Sequence, residues 1–252
     1  MQNKIIYGVP FSQPVRAVMW LMLIKKFPFE LKLINPGSSS EGGSRHPDYL
    51  KKFPTGTIPS FEDPETGFLI SESHAIMCYL CNTNNWNDLY PSNPEQRAKV
   101  DSYLHLHHRN VREASIGLVA PKVRKDLNFS EDFLEASKAS IEKAFKAIET
   151  GWLHNSKFLI GDTMTIADIS AYVEIGQLQS IFTNIYNFGP FPNIQKWLNE
   201  MQNVDCHDDI HTALYELGDI SKEAPPMEVI INANKKAFQV IQEKLNNMQK
   251  KS

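Results

Sequence analysis

The stretch KIIYGVPFSQPVRAVMW, Lys4–Trp20, decides the fold. Its β-branched and aromatic residues make the first part a short strand. Pro14 then suits the first turn of a helix, where a missing N–H costs nothing. Val15, Met19, Met22 and Leu23 follow at helical spacing and form an apolar face. Ser12 stands where strand gives way to helix. An N-cap is one reading, because a serine oxygen accepts a free backbone N–H there. A nucleophile is a second, but the G-x-S-x-G elbow is absent, since Ser12 lies between Phe11 and Gln13. The third makes the hydroxyl a donor to an anionic sulfur. A hydrogen bond to a charged acceptor contributes about 1.5–3 kcal/mol. One pKa unit is worth about 1.4 kcal/mol, so a single hydroxyl lowers a bound thiol by about one to two units. The positive end of the following helix adds to this. Position alone leaves cap and donor both open.

The pattern continues outward. FELKLI (29–34) is a second strand, and strand–helix–strand implies a parallel pair. NPGSSSEGGS is a loop, and PDYLKKF a short helix. IPSFED and FLIS, joined by PETG, make an antiparallel hairpin. ESHAIMCYL closes the unit as a helix. This βαβ–ββα order over residues 1–83 is the thioredoxin-like plan. A polar linker is expected at 84–94. Residues 95–252 are helical throughout, beginning with one long helix from Glu95 to about Pro121, which should end or kink it. In the next helix Phe133, Ile141, Phe145 and Ile148 can share a stripe. In TIADISAYVEIGQLQSI, Thr165 and Asp168 have capping-box spacing. Two more helices and a lysine-rich tail helix follow. The expected class is α/β plus all-α, a thioredoxin-like domain followed by an all-helical domain.

Composition narrows the function. The chain has 252 residues, 42% hydrophobic and 22% charged, which suits a soluble globular protein. A net charge of −3 argues against a nucleic-acid partner. Three cysteines fit a reducing compartment. No apolar run nears the roughly 18 residues of a membrane span, and the start lacks a signal-peptide core. The expected location is cytoplasmic.

Other motifs carry chemistry. Cys78 and Cys81 have CxxC spacing, but they fall inside a helix among apolar neighbours and read as structural thiols. Asp101, His105, His108 and Arg112 share a helix face, read as a polar stripe toward the cleft between domains. CHDDIH (206–211) reads as a solvated turn, and no metal site is expected. In GTIPSF (56–61), Pro59 suits the first residue of a strand. A cis bond would turn the Ile58 N–H and C=O outward, to pair with an extended peptide ligand. SESHAI (71–76) begins a helix, whose free N–H groups attract a carboxylate while Glu72 pairs with an ammonium. Together they suit an α-amino acid group.

With SQPVRAV, GTIPSF, SESHAI and FLIGDTMTIADISAYVEIGQLQ in this order, the sequence resembles a cytosolic glutathione transferase of the theta class. The likeness runs to about Gly218. The resemblance implies that Ser12 stabilises the glutathione thiolate, with Arg112 near the reactive sulfur. Ile58 would pair through its backbone with the cysteinyl unit. Glu72 and Ser73 would hold the γ-glutamyl end. His46 and Thr57 are the candidates for the glycyl end. There the family's usual histidine falls two positions earlier, at Ser44, and its frequent lysine is replaced by Thr57. The implied reaction is thiolate attack on small hydrophobic electrophiles, with glutathione as co-substrate, no metal and a homodimeric assembly. Hydroperoxide reduction is consistent with the same thiolate. The alternative is a ligand-binding or scaffold protein of this fold with little catalysis. A cysteine-dependent reductase is disfavoured, because Ser12 occupies the place its cysteine would need.

Overall fold

Four strands, β1 (Lys4–Gly8), β2 (Phe29–Leu33), β3 (Ser60–Asp63) and β4 (Phe68–Ser71), form one sheet in the order β2-β1-β3-β4. β1 and β2 are parallel, with Ile6 opposite Leu31, and α1 (Gln13–Ile24) makes the crossover. β3 runs antiparallel to both β1 and β4, so Phe61 meets Ile6 on one side and Ile70 on the other. With α2 (Pro47–Lys52) and α3 (Ser73–Thr83), this is the expected thioredoxin-like unit. The computed structural model of the chain describes residues 4–125 and 127–250. Residues 1–3, 126 and 251–252, inside the expected domain bounds, lie outside the described residues.

α1 is buried more completely than its apolar stripe implies. Ten of its twelve residues are buried, so it lies between two layers and not on a surface. One layer is the sheet. The other is the helical domain, whose Asp205 carbonyl accepts from Trp20 Nε1 at 2.8 Å.

The helical domain comprises α4 (Pro94–His107), α5 (Ala120–Val123), α6 (Glu131–Ala147), α7 (Ile166–Ile175), α8 (Pro192–Gln202), α9 (His207–Leu217) and α10 (Met227–Gln249). The single long helix expected over Glu95–Pro121 does not form. α4 ends at His107, turns occupy the next residues, and a π-helical turn over Ala114–Val119 leads into α5. Pro121 is not the breaker; it sits in the first turn of α5, where its ring fits. The break comes earlier because Asn110 Nδ2 takes the Leu106 carbonyl, competing with the backbone ladder. Arg112 N–H then reaches back five residues to His107. The expected stripe on α6 is also incomplete. Ile141, Phe145 and Ile148 are buried, whereas Phe133 is exposed and stacks on Phe129.

α7 is the central strut. Its capping box is complete: Thr165 Oγ1 accepts from Ala167 N–H, and Asp168 Oδ2 accepts from Thr165 N–H at 2.9 Å. The Asp168 carboxylate, fully buried, does more than cap. Its Oδ1 also accepts from Leu159 N–H at 2.8 Å and Trp197 Nε1 at 3.0 Å, fastening the preceding loop and α8 to α7. Asp168→Ala leaves these donors buried without an acceptor, at about 1–3 kcal/mol each. The expected loss is at least about 3 kcal/mol of stability, read as a lower denaturation midpoint in urea.

Candidate active site

Ser12 is the N-cap residue of α1 by backbone, extended at φ −69° and ψ 124°, yet its side chain makes no capping hydrogen bond. Its backbone is fixed instead. Ser12 N–H donates to Val9 O at 3.1 Å, and its carbonyl accepts from Arg16 N–H at 2.9 Å. Ser12 lines a cleft of roughly 410 Å³, and its hydroxyl is not taken up in capping its own helix. Thr57, Ile58 and Arg112 line the same cleft, and Ile116, Val119, Val123 and Leu127 give it an apolar far wall.

A second, narrower cavity adjoins it. Glu72, Ser73 and His74 line it, and Thr57, Ile58 and Arg112 are common to both. Those three residues thus form the partition between the cavities. The Ile58–Pro59 bond is cis. Tyr49 OH donates to Thr57 O at 2.7 Å and also bonds the Ser60 hydroxyl, which steadies the segment entering β3. Glu72 holds φ at +76°, the left-handed region a residue with a Cβ avoids. Such a conformation costs on the order of 1–3 kcal/mol and collects at functional sites. Here it places an exposed carboxylate at the start of α3 beside the buried Ser73.

Of the expected residues, Ser12, Thr57, Ile58, Arg112, Glu72 and Ser73 stand around these two joined cavities, and His46 does not. His46 caps α2, its Nδ1 accepting from Asp48 N–H at 3.3 Å. Ser44 and Arg45 line the Ser12 cleft in its stead. Arg45 lies close over Gly56: a Cβ built there would come within 3.0 Å of its Nη1. Ser44 Oγ is engaged, accepting from Gly37 N–H at 2.9 Å.

Behind the partition runs a buried polar network. Glu174, 1% exposed, accepts from Arg112 Nη1 through one oxygen and from the Ser115 hydroxyl through the other. Gln177 Nε2 donates to Ser115 Oγ at 2.6 Å, and Gln13 Nε2 donates to Gln177 Oε1 at 2.7 Å. Arg16, wholly buried, donates from Nη1 to Phe11 O at 2.6 Å and from Nη2 to Val173 O at 3.2 Å. Burial pulls its pKa down to about 10, with Glu174 opposing the shift, so it stays charged at neutral pH. His74, missed in the sequence, bonds Ser170 Oγ at 2.5 Å and packs edge-on to His107 at 4.8 Å. Burial pushes His74 down to about 3 and His107 well below its usual value. Its one sequence signal is its place directly after Glu72 and Ser73.

The polar stripe expected on one helix face is divided, because α4 ends at His107 and His108 and Arg112 lie beyond it. Asp101 accepts from Tyr90 OH at 2.8 Å, His105 is exposed, and only His108 and Arg112 reach the cavities. No cluster of three or more metal-ligating side chains exists among the described residues. Cys78 and Cys81 sit on α3, where burial pushes the thiols up to about 11 and about 12. Both are thus neutral at pH 8, and the expected outcome is resistance to iodoacetamide in the native protein, with alkylation only after denaturation. Rapid native alkylation of Cys78 at pH 8 would contradict this.

Residues 6–88 match the glutathione S-transferase N-terminal domain family, and residues 110–205 match the C-terminal domain family. Glutathione S-transferase T2 of Arabidopsis thaliana is 28% identical over 89% of this chain. The chain spans only 41% of that relative's length. Human glutathione S-transferase theta-1 is 25% identical, the match covering 87% of this chain and 90% of the relative. Among solved structures, the Bombyx mori glutathione transferase BmGSTD1 superposes with a TM-score of 0.72 at 26% identity. That match covers 92% of this chain and 97% of the other.

Proposed function

The chain belongs to the glutathione S-transferase family, with theta-like relatives, and from that premise we propose that it conjugates the glutathione thiolate to small apolar electrophiles. One observation carries the proposal. The Ser12 hydroxyl, left unused by its own helix, opens onto the cleft that the Thr57–Ile58 segment and Arg112 also line.

In this reading glutathione lies as an extended peptide along the partition. Its γ-glutamyl group sits at the start of α3, where Ser73 and the free N–H groups meet the carboxylate and Glu72 meets the ammonium. The cysteinyl unit pairs with the Ile58 backbone, and its sulfur accepts from Ser12. Arg112 supplies positive charge to the same sulfur. Thr57 borders the glycyl end, and Arg45 supplies the cation there that His46, engaged in capping α2, is poorly placed to give. The electrophile occupies the apolar far wall. The thiolate forms the new carbon–sulfur bond, and the leaving group departs with its electron pair. Catalysis then consists of a lowered thiol pKa and the holding of both reactants in line. The same thiolate would serve hydroperoxide reduction. No described helix is long and apolar enough to cross a membrane. A cytoplasmic homodimer is the assembly we propose, checked by light scattering.

The test compares wild type with Ser12→Ala across a panel of small electrophiles. Losing the hydroxyl should raise the bound thiol by about one to two pKa units. Activity at neutral pH should fall by roughly 10–100-fold, and the deficit should shrink as pH rises, because ionisation then needs no help. A ligand carrier of the same fold would bind glutathione in a titration calorimeter and turn over nothing. For Arg45→Ala, the expected result is a higher KM for glutathione at nearly unchanged kcat.

A further inference from the structure

The residues on either side of Ser12 are tied to the helical domain, Phe11 through its backbone and Gln13 through its side chain. Phe11 N–H donates to Asn234 Oδ1 at 2.9 Å, a contact across 223 residues of sequence. The carbonyl of the same residue accepts from Arg16 Nη1 at 2.6 Å. On the other side, Gln13 is bonded to Gln177. Asn234 is oriented for its part. Its Nδ2 donates to Ile230 O, one turn back on α10, at 3.1 Å, which leaves Oδ1 as the end facing Phe11. The helix that carries it is anchored separately, through Ala233, Ala237, Ile241 and Leu245, all buried. Around Asn234 the helix otherwise offers apolar residues, Met227, Ile230 and Ile231, to a neighbouring cavity that shares Val9 and Phe11 with the Ser12 cleft.

We infer that Asn234 is a positioning residue for Ser12: by holding the Phe11 amide it sets where the Ser12 hydroxyl points into the cleft. The inference rests on the reading of Ser12 as donor to the glutathione sulfur. A hydroxyl that donates to an anion has a narrow angular range, and the hydroxyl is carried by a loop residue with no side-chain bond of its own to steer it. The loop must therefore be fixed through its backbone. Asn234 does this from outside the thioredoxin-like domain, touching neither the sulfur nor the electrophile.

The test is a double-mutant cycle in the full chain: wild type, Ser12→Ala, Asn234→Ala and the pair. The readout is the thiol pKa of bound glutathione, followed through the ultraviolet absorbance of the thiolate against pH. Asn234→Leu is measured in parallel, because it keeps the volume while removing the acceptor. Ala and Leu both favour a helix, so α10 should persist. Each Asn234 variant should raise the thiol pKa by about half a unit or more, which is about threefold less thiolate below the pKa. On the Ser12→Ala background the same substitution should add almost nothing, because the hydroxyl it steers is gone. The inference is overturned if Asn234→Leu leaves the thiol pKa unchanged, or if the two shifts simply add. Should Ser12→Ala itself leave the thiol pKa unmoved, the reading of Ser12 fails, a result separate from failure of the Asn234 contact alone.

Discussion

A carboxylate as deeply buried as that of Glu174 must find its donors within the fold, and satisfying it organises the seam between the two domains. Arg112 and Ser115 come from the segment after α4, and Gln177 from the turn after α7. Gln13 brings in the first turn of α1. One acid also faces two guanidinium groups, since Arg16 lies within its field. A half-satisfied network of this kind is worse than an apolar seam, because each orphaned partner is left charged or polar without water. The parts are consequently interdependent. The break after α4 frees the segment that delivers Arg112, and α7 must hold its register to present Glu174 to it.

That seam also sets the electrostatic background of the site. The buried imidazoles of His74 and His107 are held neutral, desolvation being the leading cause for each. Arg16 remains cationic. Between mildly acidic and neutral pH these buried groups keep their charge.

Much of the fold was legible in the sequence because period and turn chemistry act locally. The β1–α1–β2 crossover, the PETG hairpin and the Thr165–Asp168 box all follow from neighbours within a few residues. Ser12, Ile58, Glu72 and Ser73 could be singled out because each sits at an element boundary with a chemical reason to be there. The helix break at His107 could not, since Pro121 is the stronger breaker on paper and the decisive competitor is one asparagine side chain. Arg16 carries no local signal of burial, and only the layer packed over α1 buries it. Arg45 and His74 are neighbours of motif residues, and nothing in spacing tells which neighbour lines a cavity. Asn234 had no local signal at all, its partner being 223 residues away.

That same separation bears on how the protein is made. The thioredoxin-like unit is synthesised before the helical domain, and domains generally fold in order as the chain emerges. Yet the Phe11 amide finds its acceptor only on the last helix described. A nascent chain can therefore carry a finished sheet, a formed α1 and Ser12 in sequence, and still lack the final fixing of the loop. Completion of the cleft is deferred until α10 has docked against α9, which makes a stretch translated well after the sheet a timing element for the loop beside it.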